Sequence, residues 1–169
     1  MAKRAAGKTR TKSEGKKLPE SGSKEPFYGE PGYLIRRIHQ MAVSLFLEMT
    51  DTIGITPVQY AAMLAISASP GIDQRRIASL IAVDRTTMND VTKRLAGRGW
   101  VMRERGRGRQ IHLRVTAGGD ELIKKTRLAL RNHGNRLLKP LPTGERSNFL
   151  NALQLLVQAN SKLSRTPVV

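Results

Sequence analysis

The stretch from Asp84 to Leu113 leaves few options for the fold. Met88, Val91 and Leu95 recur at helical spacing and form one apolar stripe. Asp84, just before them, is a good N-cap because its carboxylate accepts an orphan N–H of the first turn. Gly97-Arg98-Gly99 is a glycine stop. Trp100-Val101-Met102-Arg103 reads as a strand, and Arg105-Gly106-Arg107-Gly108-Arg109 as a tight, highly basic turn. Ile111, Leu113 and Val115 then alternate with Gln110, His112 and Arg114, as in a return strand with one apolar face. A polar-faced helix followed by a cationic hairpin suits a nucleic-acid duplex, the helix in the major groove and the hairpin on phosphates or in the minor groove.

Charge points the same way. The chain has 169 residues and a formal charge of +17, which calls for a polyanionic partner. That length suits one domain, or one domain plus an extension, and hydrophobic residues, at 39%, are adequate for a core. The absence of cysteine removes disulfides and thiolate zinc sites, and the histidines at 39, 112 and 133 share no metal-ligand spacing. No phosphate-binding loop, metal set or nucleophile motif is present, so neither an enzyme nor a cofactor is expected. Apolar runs are too short to span a membrane, and none follows the basic N-terminus as a signal-peptide core would; no membrane partner and a cytoplasmic location are expected.

Residues 1–26 carry six Lys and two Arg against three Glu and read as a disordered basic tail, either solvated or tracking DNA. A first helix runs from Pro31 to about Met49, its apolar residues (Leu34, Ile35, Ile38, Met41, Ala42, Leu45, Phe46, Met49) covering more than half its circumference. An ordinary surface helix needs one stripe, so this one is expected between its own domain and a second subunit. Thr56-Pro57 opens the next helix, which stops at Ser69-Pro70-Gly71. A short Ile72-Asp73 link leads to a third helix, about Gln74 to Ala82, and Val83-Asp84 turns into the polar-faced helix. Two short helices in that arrangement make a helix-turn-helix, and the hairpin makes it winged.

From about Gly119 a long helix is expected, with Leu122, Ile123, Leu128, Leu130 and Leu137 spaced through it and Pro140-Leu141-Pro142 ending it. Thr143 is expected to cap a last helix that turns Phe149, Leu150, Leu153, Leu156 and Val157 inward. The fold class is therefore mainly α with a small β wing. Residues 53–117 form the winged unit, and 27–52 with 118–165 form dimerisation helices, because both chain ends hold more apolar face than one such unit covers.

Several segments, in order and spacing, resemble the MarR family of bacterial transcriptional regulators. They are Gly54-Ile55-Thr56-Pro57-Val58-Gln59-Tyr60, Pro70-Gly71, Val83-Asp84-Arg85-Thr86-Thr87-Met88, Leu95-Ala96-Gly97-Arg98-Gly99-Trp100-Val101-Met102-Arg103 and Val115-Thr116-Ala117-Gly118-Gly119. The similarity runs from about Tyr33 to Leu163 and implies a dimeric winged helix-turn-helix, usually a repressor, released from a palindromic operator by a small ligand. The family wing usually carries Asp-x-Arg. Counting back from Thr116, Arg109 falls on the arginine position, and Arg107 stands where the aspartate would be. Arg36-Arg37-Ile38-His39-Gln40, followed by Phe46, resembles the branch that controls aromatic-acid catabolism, whose ligands are aromatic carboxylates or their coenzyme A thioesters.

Thr86, Thr87, Asn89, Asp90, Lys93 and Arg94 are the expected major-groove set, with Arg85 beside them. Arg105, Arg107 and Arg109 are the wing set, and Gln74, Arg75 and Arg76 could donate to phosphate at the positive end of their helix. Arg36, Arg37, His39 and Gln40 are effector candidates, the other reading being salt bridges between subunits. His112 is assigned to the wing surface, and Trp100 and the methionines to core packing. The rival function is an architectural protein that coats DNA without an effector.

Overall fold

Capping chemistry sets several of the helix starts. The computed structural model describes residues 26–106 and 110–163; most of the basic tail, together with Arg107 and Arg109, lies outside that range. Helix α1 spans Pro31–Thr50 and α2 Pro57–Ala68. Thr56 caps α2 in a capping box, accepting the Gln59 N–H at 3.3 Å while the Gln59 side chain accepts the Thr56 N–H at 3.1 Å. Asp73 caps α3 (Gln74–Leu80), Asp84 caps α4 (Arg85–Gly97) and Thr116 caps α5 (Ala117–Ala129). α6 (His133–Leu137), α7 (Thr143–Ala159) and a 3-10 turn, Ser161–Leu163, complete the helices.

The chain divides into two compact units, one ending at Arg36 and the other beginning at Arg37. In the first, the Tyr33 ring packs against Phe27 and Tyr28, with centroids 4.9 and 5.6 Å apart. The second holds the core, in which Ile55, Met63, Ile66, Ile77, Met88, Leu95 and Leu113 are fully buried. Buried Thr50 donates to the Phe46 carbonyl at 2.8 Å, and the Phe46 ring packs on Tyr60.

The wing is a three-stranded antiparallel sheet ordered β1 (Ile72–Asp73), β3 (Ile111–Val115), β2 (Val101–Arg105). Val101 pairs with Val115 and Arg105 with Ile111. The Ile72-Asp73 link expected between helices is thus a strand, with Ile72 opposite Leu113 and Asp73 opposite His112. His112 is more than surface, since its Nδ1–H donates to the Gly71 carbonyl at 2.8 Å and ties the hairpin to the β1 turn.

Other expectations need correction. α3 stops at Leu80 rather than Ala82, because Ala82 takes a left-handed φ of 56° and the Val83 N–H turns back to the Ala78 carbonyl. The long helix expected after Gly119 breaks between α5 and α6. Asn132, His133 and Gly134 are poor helix formers, and the His133 Nε2–H is drawn to the Ala42 carbonyl at 3.1 Å. Thr143 does not cap α7; Pro142 holds that position without a side-chain bond. None of the α7 residues expected to point inward is buried, and Leu150, Leu156 and Val157 are exposed. Met63 and Met88 are core residues, but Met41 and Met102 are exposed.

Candidate nucleic-acid interface

α4 is amphipathic in the way its spacing predicts. Met88, Val91, Thr92 and Leu95 are buried, while Arg85, Thr86, Thr87, Asp90, Lys93 and Arg94 are exposed and Asn89 is half-buried. At its start the Thr87 hydroxyl donates to one Asp84 oxygen at 2.7 Å and the Thr87 N–H to the other at 2.8 Å. These bonds, the hydroxyl's above all, hold the Asp84 carboxyl below the usual carboxylate range. At its end Gly99, with φ of 71°, sends its N–H to the Ala96 carbonyl, and the Trp100 N–H reaches the Leu95 carbonyl.

Buried Thr92, which the apolar stripe did not anticipate, locks α3 to α4. Its hydroxyl lies 3.1 Å from the Gln74 carboxamide oxygen and 3.0 Å from the Asn89 carbonyl. Gln74 is therefore engaged inside the protein. The backbone N–H groups of Arg75 and Arg76 are taken by Asp73 at 2.9 and 3.1 Å. The start of the helix is thus occupied by Asp73, while the Arg75 and Arg76 guanidiniums are exposed. A groove of about 580 Å³ brings Arg75, Arg76 and Arg85 together with Met88, Gln110 and Ile111 at the start of β3. Arg105 is exposed at the end of β2; Arg107 and Arg109 fall outside the described residues.

Arg103 was not among the expected site residues. It shares a strand face with buried Val101, and a charge at that parity is the signal that marks it. Its Nη2 donates to Asn89 Oδ1 at 3.4 Å. Gln110, at the groove, was not among the expected site residues either.

The effector candidates Arg36, Arg37, His39 and Gln40 are all exposed on α1. Arg37 and Gln40 line a recess of about 420 Å³ with Met41, Ser44, Leu45 and Glu48. Glu48, in that lining, pairs with Arg136 of α6 at 2.9 Å, and His133 packs edge-on against Phe46. Among the described residues no group of three or more His, Asp or Glu side chains could hold a metal ion. No described helix is long and apolar enough to cross a membrane.

Residues 55–108 match the MarR family pattern. The PcaV transcriptional regulator from Streptomyces coelicolor is 30% identical, the alignment covering 76% of this chain and 96% of that one, with a TM-score of 0.66. The chain belongs to the MarR family. As a MarR-family member it is a transcriptional regulator rather than an enzyme, a mainly helical winged helix-turn-helix protein. A putative transcriptional regulatory protein for the hcr operon of Thauera aromatica is 26% identical over 137 residues, 79% of this chain and 82% of that protein. The repressor CouR, bound to a 23-mer DNA duplex, superposes with a TM-score of 0.70 at 25% identity, covering 75% of this chain and 92% of CouR.

Proposed function

We propose that this MarR-family regulator binds a palindromic operator as a homodimer in the cytoplasm and is released by an aromatic carboxylate or its coenzyme A thioester. The observation that carries the DNA half is α4 itself, whose polar face is left open by a buried stripe and a capped start. Thr86, Thr87, Asn89 and Asp90 would address base edges, and Arg85, Lys93, Arg94, Arg75 and the wing arginines would meet phosphate or guanine.

Dimerisation through 27–52 and 118–165 is supported by apolar side chains that one chain leaves in water. Leu34, Ile35, Ile38, Met41 and Leu47 on α1 and Leu150, Leu155, Leu156 and Val157 on α7 are all exposed. Two recognition helices would then sit about 34 Å apart, one turn of the duplex. A ligand near Arg37 and Gln40 would act through its differential affinity for two separations of those helices. A small-molecule effector is supported by likeness to PcaV, also solved with its natural ligand at 28% identity; the aromatic class rests on the resemblance of Arg36-Arg37-Ile38-His39-Gln40 and Phe46 to the catabolic branch of the family.

Footprinting upstream of the protein's own gene, at low salt, tests the first half. A discrete two-fold protected site supports the regulator; continuous coating favours the architectural alternative that the +17 charge also suits. Thermal shift against aromatic acids and their thioesters tests the second. A compound that raises the melting temperature and frees the DNA supports the effector class, and a panel that does neither removes it.

A further inference from the structure

We infer that Arg103 fixes the hydrogen-bonding sense of Asn89, so that Asn89 meets base edges as a donor only. The inference rests on the reading of α4 as the base-contacting helix. A guanidinium carries five N–H donors and no acceptor. The Asn89 atom facing Arg103 Nη2 at 3.4 Å must therefore be the carboxamide oxygen. Arg103 is half-buried, and its Nε is buried with no acceptor among the described residues. Asn89 Oδ1 is the acceptor that the described structure offers this cation. Rotating the amide away would take this acceptor from a half-buried guanidinium whose Nε already lacks one, so the oxygen stays turned inward.

What Asn89 can show to DNA is then its –NH₂ group. An unrestrained asparagine pairs with adenine by accepting from N6 and donating to N7. The oxygen keeps a second lone pair, but held inward toward Arg103 it is turned away from N6, and the first of those bonds is lost. The remaining targets are acceptors, and guanine offers two side by side, O6 and N7, on its major-groove edge. Asn89 thus favours guanine over adenine, and Arg103 is the positioning residue that makes it do so.

The full-length protein, with R103M, N89A and N89D, is bound to a randomised duplex pool and the retained duplexes are sequenced. The base pair whose preference N89A flattens is the one Asn89 reads. At that pair the wild type should prefer guanine by about 5- to 150-fold, the span of one good side-chain contact. R103M, checked for folding by circular dichroism, should move the preference toward adenine. N89D keeps a partner for Arg103 but has no donor, so it should lose the guanine preference without losing its fold; it decides the matter if R103M does not fold. A wild type that prefers adenine there overturns the inference. So does an R103M protein that folds and keeps the guanine preference, an N89D protein that keeps it, or an N89A protein that flattens no position. A wild type that enriches no sequence overturns the site-specific reading beneath the inference, and the inference with it.

Discussion

The Arg98 guanidinium donates to the Gly54 carbonyl at 2.7 Å and stacks 4.8 Å from the centre of the Trp100 ring. One side chain at the end of α4 thereby holds the turn between α1 and α2, where Gly54 takes a φ of 68°. The helix that carries the proposed base contacts is tied directly to the segment that follows the proposed effector helix.

Arg98→Ala should remove that tie. One charge-assisted bond and one exposed cation–π contact are together worth about 2–4 kcal/mol. Chemical denaturation should show a loss of that size with an unchanged denaturant slope. If a ligand at α1 releases DNA, the variant should also need more of it, which fluorescence anisotropy with a labelled operator reads.

Gly119 should resist even alanine. A Cβ there would run into the Trp100 carbonyl and crowd the Val115 side chain, 2.7 Å away, where α5 closes on the wing. Overpacking of this kind costs about 1–3 kcal/mol. At neighbouring Gly118 the nearest atoms to a Cβ are Thr116 Oγ1 at 3.8 Å and the Gly99 carbonyl at 4.0 Å. Gly119→Ala should lower the melting temperature, while Gly118→Ala leaves it level or slightly raised.

Phosphate and base contacts should separate by salt. With roughly 6–10 phosphate contacts, affinity falls about 10³- to 10⁵-fold between 50 and 200 mM salt. Arg105→Ala or Lys93→Ala should weaken specific and random duplexes alike and reduce the salt slope by about 1. Thr87→Ala should instead erode the preference between them. Equal losses on both duplexes from both kinds of variant would remove the division.

Acid should uncap α4. The Asp84 carboxyl lies below its ordinary value because Thr87 donates to it twice. A group depressed on folding contributes stability above its unfolded pKa of about 3.9 and loses it as pH falls through the folded value. The melting-temperature gap between wild type and Asp84→Ala should be widest near neutral pH and should close in acid. A gap that is constant with pH would mean the cap acts without its charge.

What was legible in the sequence was local. Asp84, Thr56-Pro57 and Gly97-Arg98-Gly99 act on backbone within a turn of themselves, so their residue types announce the structure they make. β1 escaped because two residues carry no periodicity and Ile72 finds its partner at Leu113, far along the chain. The break after α5 escaped because leucines continue past it, while the bonds that reorient the chain come from Ala42 and Glu48 of α1. In the site, α4's exposed face was readable, but the Arg103–Asn89 and Thr92–Gln74 bonds join residues on different elements.

The division of α4 between an open face and a buried stripe also bears on how such proteins diverge. A duplicated gene could drift at Thr86, Thr87 and Asp90 toward a new operator while Met88, Val91 and Leu95 kept the scaffold intact. Asn89 has less freedom, for any successor inherits Arg103 as a neighbour and must either satisfy it or change together with it.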